Sequence, residues 1–388
     1  MTEKSLLPIH KRMDVKFSRG EGVYLFDQND KKYLDFGAGI AVNSLGHCHP
    51  NLVNALKNQA EKLWHVSNIY QGFELERFAD NLTKNTFADY AFFCNSGAES
   101  VECGIKMIRK AYEEKEKYRI ITFKGAFHGR TMAAISAAAK QKYIEGFEPT
   151  LEGFDNVEFN DIEAVRSAIT EKTAGILIEP IQGEEGIRVA DKKFISDLRK
   201  LADENDLLLM FDEVQCGFGR TGFLYAYEYF GVVPDIISSA KGIGGGFPLG
   251  ACLATKKASR GMGLGTHGTT FGGNSLAMEV GNAALSTVMS EGFLDKVKNS
   301  GDFLKLKLEE LREEFPDVIL QIRGVGLMVG VVFNKKYIAA EIVSQLKNHQ
   351  LLLVPAGENV VRFLPALIIS EGDISEAINI FRNFISKL

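Results

Sequence analysis

Short apolar runs alternate with amphipathic stretches through the middle of the chain. Tyr90 to Cys94, Arg119 to Phe123, Ala174 to Ile181, Leu207 to Phe211, Asp235 to Ser239 and Ala251 to Ala254 read as strands buried on both faces. Between several of them the apolar residues recur at helical spacing, as from Lys193 to Asn205. A further helix is expected from Ala98 to about Glu116. Asn95-Ser96-Gly97 turns the chain out of a strand there, and Glu99 and Glu102 place negative charge near the helix start. Such alternation predicts an α/β domain built on a mostly parallel sheet covered on both sides.

The pattern changes toward the C-terminus. Ser275 to Phe315 reads as one long helical segment. Beyond Pro316 come short strands near Ile319 to Ile322, Leu327 to Val332, Leu351 to Val354 and Val360 to Leu364, then a helix from about Gly372 to Lys387. Near the N-terminus, Val23 to Phe26 and Lys32 to Phe36 form a hairpin pattern. The expected division is residues 1–49 as an N-terminal segment joining a small domain, 50–280 as the large domain, and 281–388 as a small α+β domain.

Composition removes several functions. The chain has 388 residues, 45% apolar and 24% charged, with a net charge of -5, which gives no field toward nucleic acid or an anionic membrane. Met1 to Gly22 builds no signal-peptide core, and no apolar stretch is long enough to span a bilayer. The five cysteines (Cys48, Cys94, Cys103, Cys216, Cys252) are scattered and never spaced Cys-x-x-Cys, so reduced thiols in the cytoplasm are expected.

In an open α/β sheet, ligands gather beyond the carboxyl ends of the strands. Asp212 ends one apolar run, Lys241 follows another, and Asn95-Ser96-Gly97-Ala98 joins a strand to a helix. His128-Gly129-Arg130, Glu179 and Glu184 lie at or beyond other strand ends. A helix start with Gly97 offers backbone N–H groups to an anion, although any strand-to-helix turn has that much. Asp212 would be costly to bury without a donor, and a pyridinium N–H is one such donor. Most lysines are exposed. Lys241, however, precedes Gly242-Ile243-Gly244-Gly245-Gly246, a backbone able to lie flat against a bulky ligand, where a desolvated amine can form an imine.

Two nucleotide-binding readings fail. Leu208-Leu209-Met210-Phe211-Asp212-Glu213 resembles a magnesium-binding strand end, but no Gly-x-x-x-x-Gly-Lys-Ser/Thr loop precedes it. No Gly-x-Gly-x-x-Gly lies between a first strand and a helix either. His47-Cys48-His49 places adjacent residues that do not converge on one ion, so no metal site is expected and both histidines read as hydrogen-bonding loop residues.

Together the motifs resemble the class III, ornithine-type aminotransferases, a branch of the pyridoxal-phosphate enzymes with the aspartate-aminotransferase fold. The resemblance runs from about residue 20 to 370. It rests on Gly46-His47-Cys48-His49-Pro50, Asn95-Ser96-Gly97-Ala98-Glu99-Ser100, Phe127-His128-Gly129-Arg130-Thr131, Glu179-Pro180-Ile181-Gln182-Gly183-Glu184, Asp212-Glu213-Val214-Gln215, Ala240-Lys241-Gly242 through Pro248, and Thr266-His267-Gly268-Thr269-Thr270 through Asn274. It implies a large domain with a mostly parallel seven-stranded sheet, a smaller α+β domain, and pyridoxal 5'-phosphate carried by Lys241 as a Schiff base. It further implies that Asp212 holds the pyridine nitrogen, Gln215 meets the ring hydroxyl oxygen, Phe127 stacks on the ring, and Gly97 and Ala98 bind the phosphate. Thr270 would reach the phosphate of a partner subunit, making a homodimer with shared sites. Arg130 would clamp the substrate α-carboxylate, Thr269 would lie near the substrate's far end, and Glu184 with Arg362 would form a switch pair.

Within that branch, Phe127, Gln182-Gly183-Glu184 and the apolar Gly39-Ile40-Ala41-Val42 stretch imply an acylated donor, N2-acetylornithine, with 2-oxoglutarate as acceptor. N-succinyl-diaminopimelate presents the same acylated amine. The 4-aminobutyrate and ornithine enzymes of the branch, and a non-catalytic cofactor-binding protein, are the alternatives. Ala98 replaces the commoner threonine and Ser100-Val101 the commoner Ala-Asn.

Overall fold

The computed structural model describes residues 5–388. Among them, seven strands form the central sheet in the spatial order Tyr90–Cys94, Gly250–Ala254, Ile236–Ser239, Leu208–Asp212, Thr173–Ile178, Arg119–Phe123, Phe154–Val157. Gly250–Ala254 runs antiparallel to both its neighbours, while the remaining pairs are parallel. Leu208–Asp212 and Thr173–Ile178 are buried at every position, because helices cover both faces and leave no side for polar residues. Two separate apolar clusters record those two coverings, one with Phe123, Ile176, Leu209 and Phe211, the other with Ile120, Leu177, Leu208 and Met210.

Expected boundaries moved at four places, one being Leu351 to Val354, which is not a single strand but divides into Leu351–Leu352 and Val354–Ala356 in different sheets. The strand anticipated to reach Ile181 stops at Ile178, and Ile181–Gln182 pairs instead with Arg188–Val189 in a separate ribbon. Pro180 lies between them and has no N–H to continue the ladder. The single helix expected from Ser275 to Phe315 is two helices, Ser275–Val288 and Phe293–Glu314. Gly292, at φ 74°, turns the chain between them. The helix expected to reach Glu116 ends at Ala111, followed by a short 3-10 turn, Glu113–Lys115.

A second, antiparallel sheet runs Ile319–Val325, Met328–Phe333, Val360–Phe363, Val354–Ala356. The N-terminal strands Tyr24–Asp27 and Lys32–Asp35 pair as the hairpin expected, with Phe17–Glu21 added outside and Leu351–Leu352 pairing in parallel with Lys32–Asp35. One core unites these pieces: Val23, Leu34 and Phe36 pack with Leu304, Val331, Phe363 and Phe381. No helix among the described residues is long and apolar enough to cross a membrane.

Candidate active site

At the carboxyl ends of the parallel strands lies a pocket of about 370 Å³, lined by Asn95 to Ala98, Phe127 to Gly129, Glu179, Asp212, Gln215 and Lys241, with Val42 and Phe247 among its apolar walls. The order of strands accounts for this gathering. Apart from Val42 and Phe247, these residues end a strand or lie in the segment that follows one, and neighbouring strands bring those segments side by side.

Asp212 is the last residue of a strand otherwise made of Leu208, Leu209, Met210 and Phe211, and it is 4% exposed. A bare carboxylate there would be costly, and two donors meet it. Oδ2 lies 2.7 Å from His128 Nδ1, and Oδ1 accepts from the Val214 amide at 3.1 Å. Burial pulls the His128 pKa down, but the hydrogen bond and the charge of Asp212 prevail and raise it above its ordinary value. With Nδ1 committed to Asp212, His128 Nε2 is buried without a partner.

Glu179 follows the next strand and is also buried. Its Oε1 accepts from the Phe127 amide at 2.7 Å, fixing the turn that presents the Phe127 ring. Burial pushes this carboxyl up to about 7, the nearby His128 lowering it and Asp212 raising it.

Lys241 opens the 3-10 turn Lys241–Gly244 with φ 52°, a left-handed conformation uncommon for a residue with a side chain. Such strain persists where surrounding structure imposes it and concentrates at functional sites. Desolvation lowers the lysine's pKa below its ordinary value, with Glu184 opposing and Arg362 adding to the fall. The amine is therefore closer to its neutral, nucleophilic form than a surface lysine is.

Ser96 caps the helix Gly97–Ala111, its side chain accepting from the Glu99 amide at 3.3 Å. The first amides of any helix have no intrahelical acceptor, and both Gly97 and Ala98 line the pocket. A Cβ at residue 97 would come within 2.7 Å of Val214 Cγ1, so the approach is open only to glycine.

The other expected residues stand around this pocket. Arg362 is 1% exposed and donates to Glu184 Oε1 at 2.7 Å, to Gln215 Oε1 at 3.2 Å and to the Pro355 carbonyl at 3.0 Å. Burial raises the Glu184 pKa, but the charge and hydrogen bond of Arg362 outweigh it and hold the carboxyl below its ordinary range. Arg130 is exposed, its guanidinium 3.9 Å from the Tyr143 ring centre and 5.7 Å from that of Phe127. Thr269 Oγ1 accepts from Asn95 Nδ2 at 3.4 Å, whereas Thr270 is exposed and outside the lining of this chain's own pocket. His47 bonds Asp35 at 2.8 Å and His49 caps the helix Pro50–Ala60, as loop histidines do. Sequence reasoning placed His128 and Glu179 near the site without giving either a task. Their signal was present, since each is a titratable residue at the end of a strand.

Taken as chemistry, the site combines a lysine inclined to lose its proton, a carboxylate fixed to meet a ring N–H, a pocket-edge aromatic and an anion cradle at a helix start. These parts fit an aromatic aldehyde bearing a phosphate, and with the α/β sheet they define a pyridoxal-phosphate enzyme. The chain belongs to the class-III aminotransferases, whose family model matches residues 8–385, and it is a pyridoxal-phosphate-dependent transaminase.

Particular relatives are similar over nearly their whole length. An acetylornithine aminotransferase of Agrobacterium fabrum is 55% identical, covering 95% of this chain and 92% of that one. One of Brucella melitensis is 50% identical over 100% of this chain and 96% of its own. The crystal structure of N-acetylornithine aminotransferase from Stenotrophomonas maltophilia matches with a TM-score of 0.84 at 36% identity, covering 96% of each chain. That of ornithine aminotransferase from Toxoplasma gondii matches with a TM-score of 0.94 at 30% identity, covering 99% of this chain and 93% of that one.

Proposed function

We propose that the enzyme moves the δ-amino group of N2-acetyl-L-ornithine to 2-oxoglutarate by ping-pong half-reactions, giving N-acetylglutamate semialdehyde and glutamate in arginine biosynthesis. The names of the relatives at 50–55% identity support the donor. The observation that carries the two-substrate reading is the Glu184–Arg362 pair beside Gln215. While paired, Arg362 presents little net charge to a donor whose amine is acylated. When Glu184 turns away, the freed guanidinium can take the γ-carboxylate of glutamate in a bidentate contact.

Lys241 would be the covalent anchor and then the base that carries the proton from the donor carbon bearing the amine. When bound, the cofactor supplies the electron sink that this proton loss needs. Asp212, steadied by His128, would keep the pyridine nitrogen protonated. Gln215 spends its Oε1 on Arg362, which leaves its NH₂ to donate to the ring hydroxyl oxygen. Phe127 would stack on the ring, and the amides of Gly97 and Ala98 would hold the phosphate. Arg130 would grip the substrate α-carboxylate, with Thr269 near the other end. Thr270, exposed and outside its own pocket's lining, would reach the phosphate of a partner subunit, so the working unit is a homodimer. We assign residues 50–280 to the cofactor-binding domain and 1–49 with 281–388 to the smaller one, and place the enzyme in the cytoplasm.

A donor panel tests the substrate: N-acetylornithine, N-succinyl-diaminopimelate, ornithine and 4-aminobutyrate, each with 2-oxoglutarate. N-acetylornithine should give the highest kcat/KM, with N-succinyl-diaminopimelate accepted. Val42 stands in the pocket wall, where a free second ammonium would find no partner, so ornithine should be poorer. A best kcat/KM with 4-aminobutyrate would overturn the arginine-pathway reading.

A further inference from the structure

Beside the pocket, the backbone adopts a conformation that L-residues avoid. Ala38, Gly39, Ile40 and Ala41 follow one another with φ of 45°, 66°, 65° and 62°. Glycine visits this left-handed region readily, whereas a β-branched residue such as Ile40 rarely does, and runs of it are avoided altogether. Here the run is a closed turn. The Gly37 carbonyl accepts from the Ile40 and Ala41 amides at 2.8 and 3.0 Å, and the Ala38 carbonyl from those of Val42 and Asn43 at 2.8 and 2.9 Å. At Val42 the chain is right-handed again, with φ -87°.

Strain of this kind persists only where the surroundings impose it. Asp35, 5% exposed, does so at the start of the turn, its Oδ1 accepting from the Gly37 and Ala38 amides, both at 2.9 Å. Its Oδ2 meets His47 Nε2 at 2.8 Å, and because a carboxylate only accepts, the imidazole donates. His47 is itself fixed, since its backbone exchanges hydrogen bonds of 2.7 and 3.0 Å with Gly22. Its side chain lies against Gly20, where a Cβ would come within 2.7 Å of His47 Cγ.

The turn in its place borders the whole site. Val42 lines the pocket. Ser44 Oγ donates at 2.8 Å to the carbonyl of Gly242, the residue after Lys241. The Phe36 carbonyl accepts at 2.7 Å from Leu364, just beyond the strand that carries Arg362. Lys241 follows a central strand and Arg362 lies within one, whereas Val42 belongs to no strand and takes its position from the turn.

We propose that Asp35 and His47 are positioning residues for the amino donor: they hold the left-handed turn, and the turn sets Val42 against the donor's distal end. The inference rests on the acylated-donor reading above. Without His47 to brace it, Asp35 no longer offsets the strain, the turn relaxes toward right-handed φ and the Val42 wall moves. An acylated amine then loses its close fit, while 2-oxoglutarate, whose γ-carboxylate is taken by Arg362, keeps its own.

The test measures the two half-reactions separately in cofactor-loaded enzyme, by cofactor absorbance in single turnovers at rising substrate concentration. In His47→Ala, half-saturation by N-acetylornithine should need about tenfold more substrate, the factor that one residue's left-handed strain represents, and half-saturation by 2-oxoglutarate should stay within about twofold. The preference for N-acetylornithine over ornithine should narrow with it. His47→Gln keeps an N–H for Asp35 and should restore the donor. Adding Ile40→Asn to His47→Ala should also recover it, because asparagine accepts left-handed φ more readily. Should His47→Ala fail to hold its cofactor, the same ratios are read on His47→Asn, whose amide is too short to take the place of Nε2. A parent that prefers another donor refutes the acylated-donor reading alone, and the variant-to-parent ratio for that donor still decides the role of His47. Equal losses for both substrates, parent-like constants in the His47 variant, or no recovery in His47→Gln and with Ile40→Asn overturn the proposal.

Discussion

Asp212 and Glu179 end adjacent strands and differ in what surrounds them. Asp212 has an imidazole and an amide on its two oxygens, whereas Glu179 has one amide and a buried setting that favours its neutral form. A carboxyl whose pKa rises from 4.5 in the unfolded chain to about 7 in the folded one binds its proton more tightly when folded. Its contribution to stability is complete below the unfolded value and is lost as pH rises through the folded value. Glu179→Gln keeps an oxygen for the Phe127 amide but cannot ionise. The Tm of the parent apoenzyme minus that of Glu179→Gln should therefore fall between about pH 5 and pH 8. A difference that stays flat, or grows with pH, would show that Glu179 is ionised throughout. The chemistry at this scale was only half legible. Asp212 and Lys241 announced themselves as single polar residues closing apolar runs. The pairing of His128 with Asp212 joins turns 84 residues apart and follows from strand order, which no local pattern encodes.

Secondary structure was most legible where both faces of an element are buried. Arg119–Phe123 and Ile236–Ser239 fall where the apolar runs put them. Phe154–Val157 escaped notice because it is an edge strand, half-buried throughout, with Asp155 and Asn156 in its middle. Phe17–Glu21 is mostly exposed and carries no apolar alternation either. The break between Ser275–Val288 and Phe293–Glu314 was missed because helical spacing resumes after it, and its one signal was Gly292. A Cβ there would meet nothing within 4 Å, so only the left-handed backbone at φ 74° resists substitution. Gly292→Ala should cost about 1–2 kcal/mol, read as a lower urea midpoint with an unchanged m-value. No change in midpoint would mean that the turn relaxes freely.

For the molecule as a whole, every residue expected to touch the cofactor lines the pocket of one chain except Thr270, which is exposed and outside it. Subunit mixing separates the possible origins of that contact. If the proposed homodimer forms, Lys241→Ala and Thr270→Ala proteins should each be poorly active at limiting cofactor. Their hybrid contains one site with Lys241 from one subunit and Thr270 from the other. If Thr270 acts across the interface, mixed dimers regain activity at that site; if it acts within its own chain, no hybrid site is complete and mixing restores nothing.

The most direct measurement on the central claim is reduction of the cofactor-loaded enzyme with borohydride, followed by proteolysis and mass mapping. The phosphopyridoxyl mass should appear on the peptide containing Lys241, and Asp212→Ala should weaken cofactor retention without moving the label. A label on any other lysine, or an unlabelled Lys241 peptide from fully loaded enzyme, would contradict the assignment of the site.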